Sequence, residues 1–353
     1  MLGSFVARFV AGTLAPAALD RSGVVWLGLP LLAVPPQSVP SAGGHVTTTD
    51  TAVQAWRFFD VEVARTTLLS RSFVRLTFRG DDLHEMADNG FDQRIKLMLP
   101  DATGGYDHAP SGSDWYGEWQ ALPDEHRNPL RTYTIRSVRP AAREVDIDVV
   151  MHGPTGPAGR FAGSCRTGSR AVLMGPNALH PGPHGAIEFA VPPADRPLLL
   201  VGDETAVPAI SRILEDLPSD VCGHAVIEVP HAEDFIDLDR PPGVALTWLA
   251  REGSPHGERL IPAVRKVASA MLGDATASPS ATLDDIDVDR DILWEVPLDD
   301  RGMPLPPTGD LYAWLAGESA VIKTLRRFLV SERGVDRRSV AFMGYWRLGR
   351  PES

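Results

Sequence analysis

After Pro197 the chain settles into a rhythm that few folds satisfy. Short, largely apolar runs alternate with amphipathic stretches at helical spacing. "PLLLVGD" is followed by "ETAVPAISRILEDL", "GHAVIEV" precedes "ALTWLAR", and "GERLIPAVRKVASAML", "DLYAWLAG", "ESAVIKTLRRFLVSER" and "SVAFMGYW" complete the series. Apolar strands with no polar alternation are buried on both faces, which requires helices above and below a parallel sheet. This half of the chain is therefore a doubly wound α/β domain.

The preceding half has another period. "FFDVEVARTTL" and "SFVRLTFRG" alternate apolar and polar residues across a short polar turn, the mark of antiparallel strands. "RIKLMLP", "RTYTIRSVR", "EVDIDVVMHG" and "SRAVLMGP" continue the series, with a Gly/Asp/Trp-rich loop at 101–129 and one helical signal, "GPAGRFAGS". The expectation is a small antiparallel barrel of six strands. A length of 353 residues accommodates both units, since single cores split beyond roughly 250 to 300 residues.

Charge narrows the function. The chain holds 34 basic and 46 acidic residues, a net charge of −12, which argues against a general nucleic-acid binder or a binder of anionic membranes. The acids are unevenly spread: residues 273–310 carry ten, with only Arg290 and Arg301 against them, in a Pro/Ser/Ala-rich stretch that reads as a disordered insertion. "DDIDVDRD" within it is no calcium loop, because Arg290 and Val296 fall where an EF-hand needs Gly and Glu. Cys165 and Cys222 stand alone, excluding an iron–sulfur cluster or a cysteine-ligated zinc. Residues 1–57 read as a disordered or targeting-like extension. Its apolar run "GVVWLGLPLLAV" is broken by Pro30, Pro35, Pro36 and Pro40 before reaching the ~20 residues of a membrane helix.

Donor chemistry concentrates in "RTYTIR". On a strand, Arg131 and Tyr133 face one side while Thr132, Thr134 and Arg136 face the other. Two readings stand side by side. One is an exposed strand with cross-strand arginine pairs. The other is a strand beneath a planar, phosphate-bearing ligand, with Arg on pyrophosphate and Tyr against a ring. "HGPTGPAGRFA" follows the next strand and places Pro157 at the first turn of a helix whose free amides make an anion site. In the second half, "VGDETA" offers one glycine, Gly202, in place of GxGxxG, so Asp203 or Thr205 as a helix cap competes with a nucleotide turn.

Taken in order, "DQRIKLMLP", "RTYTIR", "VVMHGPTGPAGRFA", "LLLVGDETAVPAI", "WLAR", "YAWLAGE" and "FMGYWRLG" resemble the siderophore-interacting proteins, NAD(P)H-dependent ferric-siderophore reductases of the ferredoxin reductase-like superfamily, over residues 58–349. The resemblance implies a FAD-binding barrel at 58–180, a linker at 181–196 and an NAD(P)H-binding α/β domain at 197–349. It places Arg131, Tyr133 and Thr134 on FAD, Tyr133 and Thr134 nearest the reaction, and His152, Gly156, Pro157 and Ala158 around the flavin and its pyrophosphate. Gly202, Asp203, Glu204, Thr205 and Ala206 become contacts for NADPH or NADH, Arg251 a reader of a 2′-phosphate, and Trp346 a ring close to the flavin. Lys96 and Arg347 form a basic patch for an anionic ferric siderophore. Phe161 departs from the family's usual Trp. The implied protein is a cytoplasmic monomer without stable membrane insertion. Two alternatives remain: another FAD-dependent NAD(P)H reductase with a different acceptor, and a non-catalytic siderophore-binding module.

Overall fold

The computed structural model describes residues 24–26, 53–112, 114–151, 156–273 and 293–349. His152, nearly all of the 1–57 extension and residues 274–292 lie outside the described residues. A first short strand, β1 (Val24–Trp26), pairs antiparallel with the last strand of the chain.

The barrel is a seven-stranded antiparallel sheet: β2 (Trp56–Leu68), β3 (Phe73–Arg79), β4 (Arg94–Met98), β5 (Leu130–Thr134), β6 (Ser137–Arg139), β7 (Glu144–Val150) and β8 (Arg170–Pro176). Their order is β5-β4-β8-β2-β3-β7-β6. The alternation in β2 puts Phe59, Val61 and Val63 into the barrel core with Leu76, Phe78, Ile95, Leu97 and Leu173. "RTYTIRSVR" is two strands rather than one, which accounts for seven where six were expected. The break follows from barrel closure: Ile135 N–H donates to Gln93 O at 2.9 Å, and Arg136 N–H donates to Asp146 O at 2.9 Å. Consecutive residues thus bond toward opposite ends of the strand order, Gln93 just before β4 and Asp146 on β7. Two helices interrupt the barrel, α1 (Trp115–Ala121) in the long β4–β5 loop and α2 (Gly156–Ser164) after β7.

Cross-strand arginine pairs do occur, but on β3 and β7. Arg75 faces Asp148 in register and binds it at 2.6 and 2.8 Å, and Thr77 donates to its partner Asp146 at 2.6 Å. Arg131, by contrast, lies opposite Leu97.

The second domain is built on β9 (Leu198–Gly202), β10 (Gly223–Val229), β11 (Val244–Ala250), β12 (Trp294–Glu295), β13 (Tyr312–Glu318) and β14 (Val340–Leu348). The parallel order is β11-β10-β9-β13-β14, with β12 antiparallel on β14. Helix α3 (Val207–Asp216) packs on one face. On the other lie α4 (Leu260–Leu272) and α5 (Ser319–Arg326), the latter running into a π-helical turn, Arg327–Glu332. Both faces are covered, as the apolar strands require. Trp314 has no exposed surface, and cutting such a side chain to Ala costs roughly 3–5 kcal/mol. The described end of the acidic segment belongs to this domain. Glu295 on β12 takes Arg326 through two nitrogens at 2.7 and 2.9 Å and Arg337 at 2.6 Å.

Candidate functional site

Strand β5 sits at the sheet margin against β4 alone, in the register Arg94↔Thr134, Ile95↔Tyr133, Lys96↔Thr132 and Leu97↔Arg131. Partners across an antiparallel ladder share a face, so the candidate residues divide. Arg131 and Tyr133 lie on the side of Leu97 and Ile95, whereas Lys96, Thr132 and Thr134 lie on the other. Lys96 is almost buried, and its ammonium donates to Thr132 Oγ1 at 2.7 Å. Thr134 is buried, while Arg131 and Tyr133 are half-buried. The Arg131 guanidinium donates to Leu130 O at 2.7 Å.

Helix α2 and Tyr133 both border the barrel core: Tyr133, Ala158 and Phe161 pack against the same buried cluster. Its first residue, Gly156, has φ +74°, and an added Cβ would meet nothing within 4 Å among the described residues. The free backbone amides of a helix start attract anions. The Arg131 guanidinium and the amides at the start of α2 are donors of the kind a phosphate-bearing group needs.

At the carboxyl end of β9 the turn 202–206 leads into α3. Gly202 is needed for packing: a Cβ there would lie 2.5 Å from Ala206 Cβ and 2.9 Å from Ile210 Cδ1. The Asp203 carboxylate then gathers the strand ends. Oδ1 accepts from the Thr205 N–H at 2.9 Å and from the Thr205 hydroxyl. Oδ2 accepts from the Glu318 N–H at 2.7 Å and from Trp346 Nε1 at 2.8 Å. Gly317, at φ +148°, admits this carboxylate; a Cβ would stand 2.6 Å from Asp203 Oδ2. Burial, and then Glu204, push Asp203 up to about 6.

Glu204 has no exposed surface and accepts from both terminal nitrogens of Arg251 at 2.6 and 2.7 Å, with His256 Nε2 at 3.4 Å. Arg251, expected as a phosphate reader, is thus committed to a carboxylate inside the fold, with Glu228 a further 3.5 Å away. Burial lowers His256, but Glu204 outweighs it and the imidazole is raised above its usual value. Trp346 is buried, edge-on to His256 at 4.7 Å, and so belongs to the nucleotide-turn cluster. Arg347 follows, half-buried.

Sequence reasoning missed Glu228, His256 and Glu318. Glu318 caps α5 by accepting from the Ala320 and Val321 N–H groups at 2.8 and 3.0 Å, a role the sequence did not signal because Glu is not among the favoured N-cap residues. His231, Glu233 and Glu252 also gather past the ends of β10 and β11, but Glu252 already accepts from Ala232 N–H and Glu233 pairs with Arg71. A cavity of about 570 Å³ lined by Glu215, Asp237, Asp239 and Arg240 opens at the start of β11, away from the carboxyl ends where open α/β sheets bind ligands.

Two family models match this chain: the siderophore-interacting FAD-binding domain over residues 62–180 and the siderophore-interacting protein model over 196–349. An uncharacterised protein of Mycobacterium tuberculosis is 34% identical over 82% of this chain and 90% of its own length. The ferric vibriobactin reductase ViuB of Vibrio cholerae is 29% identical over 83% of this chain and 90% of its own. Among solved structures, the siderophore-interacting protein SipS from Aeromonas hydrophila superimposes with a TM-score of 0.57 at 30% identity, covering 83% of this chain and 93% of that one.

Proposed function

Because the chain belongs to the siderophore-interacting protein family, we propose that it is a FAD-dependent, NAD(P)H-using reductase of ferric siderophores. The observation that carries this reading is a barrel with the half-buried Arg131 and Tyr133 on β5 and helix α2 bordering the same core as Tyr133, joined to a second domain whose strand-end turn is built from Gly202 to Ala206. Similarity to a ferric vibriobactin reductase supports iron chelate as the acceptor. Bound FAD supplies the conversion of a two-electron donor into one-electron delivery.

The chain's own residues bind and orient. Arg131 and the amides at the start of α2 would hold the pyrophosphate of FAD, and Tyr133 and Thr134 would serve its ring system. The turn 203–206 receives the nucleotide donor. Lys96 and Arg347 draw in the anionic chelate. Ferric iron is held by hard oxygen donors that bind ferrous iron far less tightly, so reduction releases the metal. No side chain need act as acid or base in the iron step. Among the described residues no helix is long and apolar enough to cross a membrane, and a nucleotide-using monomer of the cytoplasm fits the reading.

An acceptor comparison tests it. Purified protein with FAD and either nucleotide is assayed anaerobically against a ferric siderophore, a ferredoxin and free flavin, with a ferrous trap present. Preferential reduction of the siderophore supports the proposal. Preference for ferredoxin or free flavin would reject the substrate, and loss of FAD affinity would favour a non-catalytic binding module.

A further inference from the structure

The barrel and the parallel sheet meet along a seam whose centre is Asp92, a carboxylate with no exposed surface. Its oxygens accept from the backbone N–H of Glu188 at 3.2 Å, the N–H of Phe189 at 3.1 Å and the indole Nε1 of Trp314 at 3.0 Å. One barrel residue thus holds both the linker and the central strand β13. Contacts alongside reinforce it. Phe91 N–H donates to Asp216 Oδ2 at 2.7 Å, Arg212 pairs with Asp88 at 3.2 Å, and Arg136 pairs with Glu215. Phe91 stands at φ +50°, which a side chain of its size rarely adopts. Backbone strain persists where surrounding contacts over-determine it.

From Asp92 the seam leads directly to the strand expected to hold the flavin. Two residues on, Arg94 grips Glu188 through Nε at 3.0 Å and a second nitrogen, and its guanidinium lies 4.9 Å from the Trp294 ring centre. The backbone of Arg94 is in register with Thr134, and Gln93 O accepts from Ile135 N–H. Three consecutive residues, 92–94, therefore connect Trp314 of the nucleotide domain to Thr134 and Ile135 of the barrel.

We infer that Asp92 is a positioning residue that sets the distance and angle between β5 and the nucleotide domain, and thereby the rate of hydride transfer, without touching either ligand. The inference rests on the reductase reading above. In that step one hydride, a proton with two electrons, leaves the dihydronicotinamide ring, which is oxidised, and enters the flavin ring, which is reduced. Such transfers tolerate little misplacement: about 1 Å can cost on the order of a hundredfold in rate. The groups facing Asp92 are Glu188 from the linker, Arg94 from β4, Tyr312 and Trp314 from β13 and Tyr345 from β14. The Tyr345 hydroxyl is buried there without a hydrogen-bond partner among the described residues. Burial, and then the Glu188 carboxylate, push Asp92 up to about 7.

The test is anaerobic stopped-flow reduction of the FAD-loaded protein by NADH and NADPH, for wild type, Asp92→Asn and Trp314→Phe, with hydrogen exchange measured on the Glu188 and Phe189 amides. The limiting rate should fall at least tenfold in Asp92→Asn, with nucleotide affinity and FAD retention within twofold. A wild-type inflection of that rate near pH 7 should disappear, and exchange at both amides should rise. Trp314→Phe, which removes one donor to the carboxylate, should lower the rate at least threefold and serves alone if Asp92→Asn does not fold. An unchanged rate, or a loss that merely tracks lost FAD, overturns the inference. If neither nucleotide reduces wild-type flavin, the reductase reading fails instead. The seam is then judged by exchange, and amides as protected in the variants as in wild type would overturn it.

Discussion

Arg251 and Glu204 form a bidentate ion pair, 2.6 and 2.7 Å, with both side chains nearly removed from solvent. Removing one partner of such a pair leaves an uncompensated buried charge, at a cost of about 3–5 kcal/mol. Arg251→Ala should therefore lower Tm strongly while changing the ratio of NADPH to NADH affinity less than threefold. Titration of each nucleotide against bound-flavin fluorescence measures this, and a tenfold selective loss of NADPH would show that Arg251 reads a 2′-phosphate.

Arg131 and the start of α2 at Gly156 are the proposed holders of the flavin's phosphates. Charge-assisted hydrogen bonds contribute about 1.5–3 kcal/mol, so Arg131→Ala should weaken FAD binding roughly ten- to a hundredfold and shed FAD during gel filtration. Full retention, read from the flavin absorbance of the purified protein, would remove the phosphate assignment.

Lys96 and Arg347 should act on the chelate alone. In the double variant Lys96→Ala, Arg347→Ala the KM for an anionic ferric siderophore should rise, while oxidation of the nucleotide by a neutral acceptor stays intact. Equal loss with both acceptors would reject the patch. The Lys96 to Thr132 hydrogen bond adds a stability loss of about 1 kcal/mol.

Asp92 and Asp203 give stability an unusual pH dependence. Burial raises both, to about 7 and about 6, above the roughly 3.9 of an unfolded chain. Between those values the folded state binds more protons than the unfolded one. Stability from these groups is complete below about pH 4 and is lost as pH rises through 6 and 7. Thermal melts from pH 5 to 8 should show Tm falling, with a shallower slope in Asp203→Asn, and a slope of the opposite sign attributable to these residues would contradict their burial as carboxylates.

The two-domain architecture was legible because hydrophobic period changes near the linker, from alternating to continuous, and each period permits one kind of sheet. The break inside "RTYTIRSVR" was not, since barrel closure joins Ile135 to Gln93 and Arg136 to Asp146, pairings set by the whole sheet. Arg131 and Tyr133 stood out by residue type. Arg251 invited a phosphate-reading role because a strand-end arginine carries no sign of its partner; Glu204 lies 47 positions earlier. Asp92 opens the quoted run "DQRIKLMLP", but nothing in that run shows what it holds, its indole donor Trp314 being 222 residues away.

The most direct test of the central claim is an anaerobic visible spectrum of the FAD-loaded protein, taken before and after NADH or NADPH and again after a ferric siderophore and a ferrous trap. The account predicts a flavin spectrum that bleaches with nucleotide and recovers with siderophore as trapped ferrous iron appears. A flavin that stays oxidised with both nucleotides, or one that bleaches yet delivers no electrons to the ferric siderophore, would contradict it.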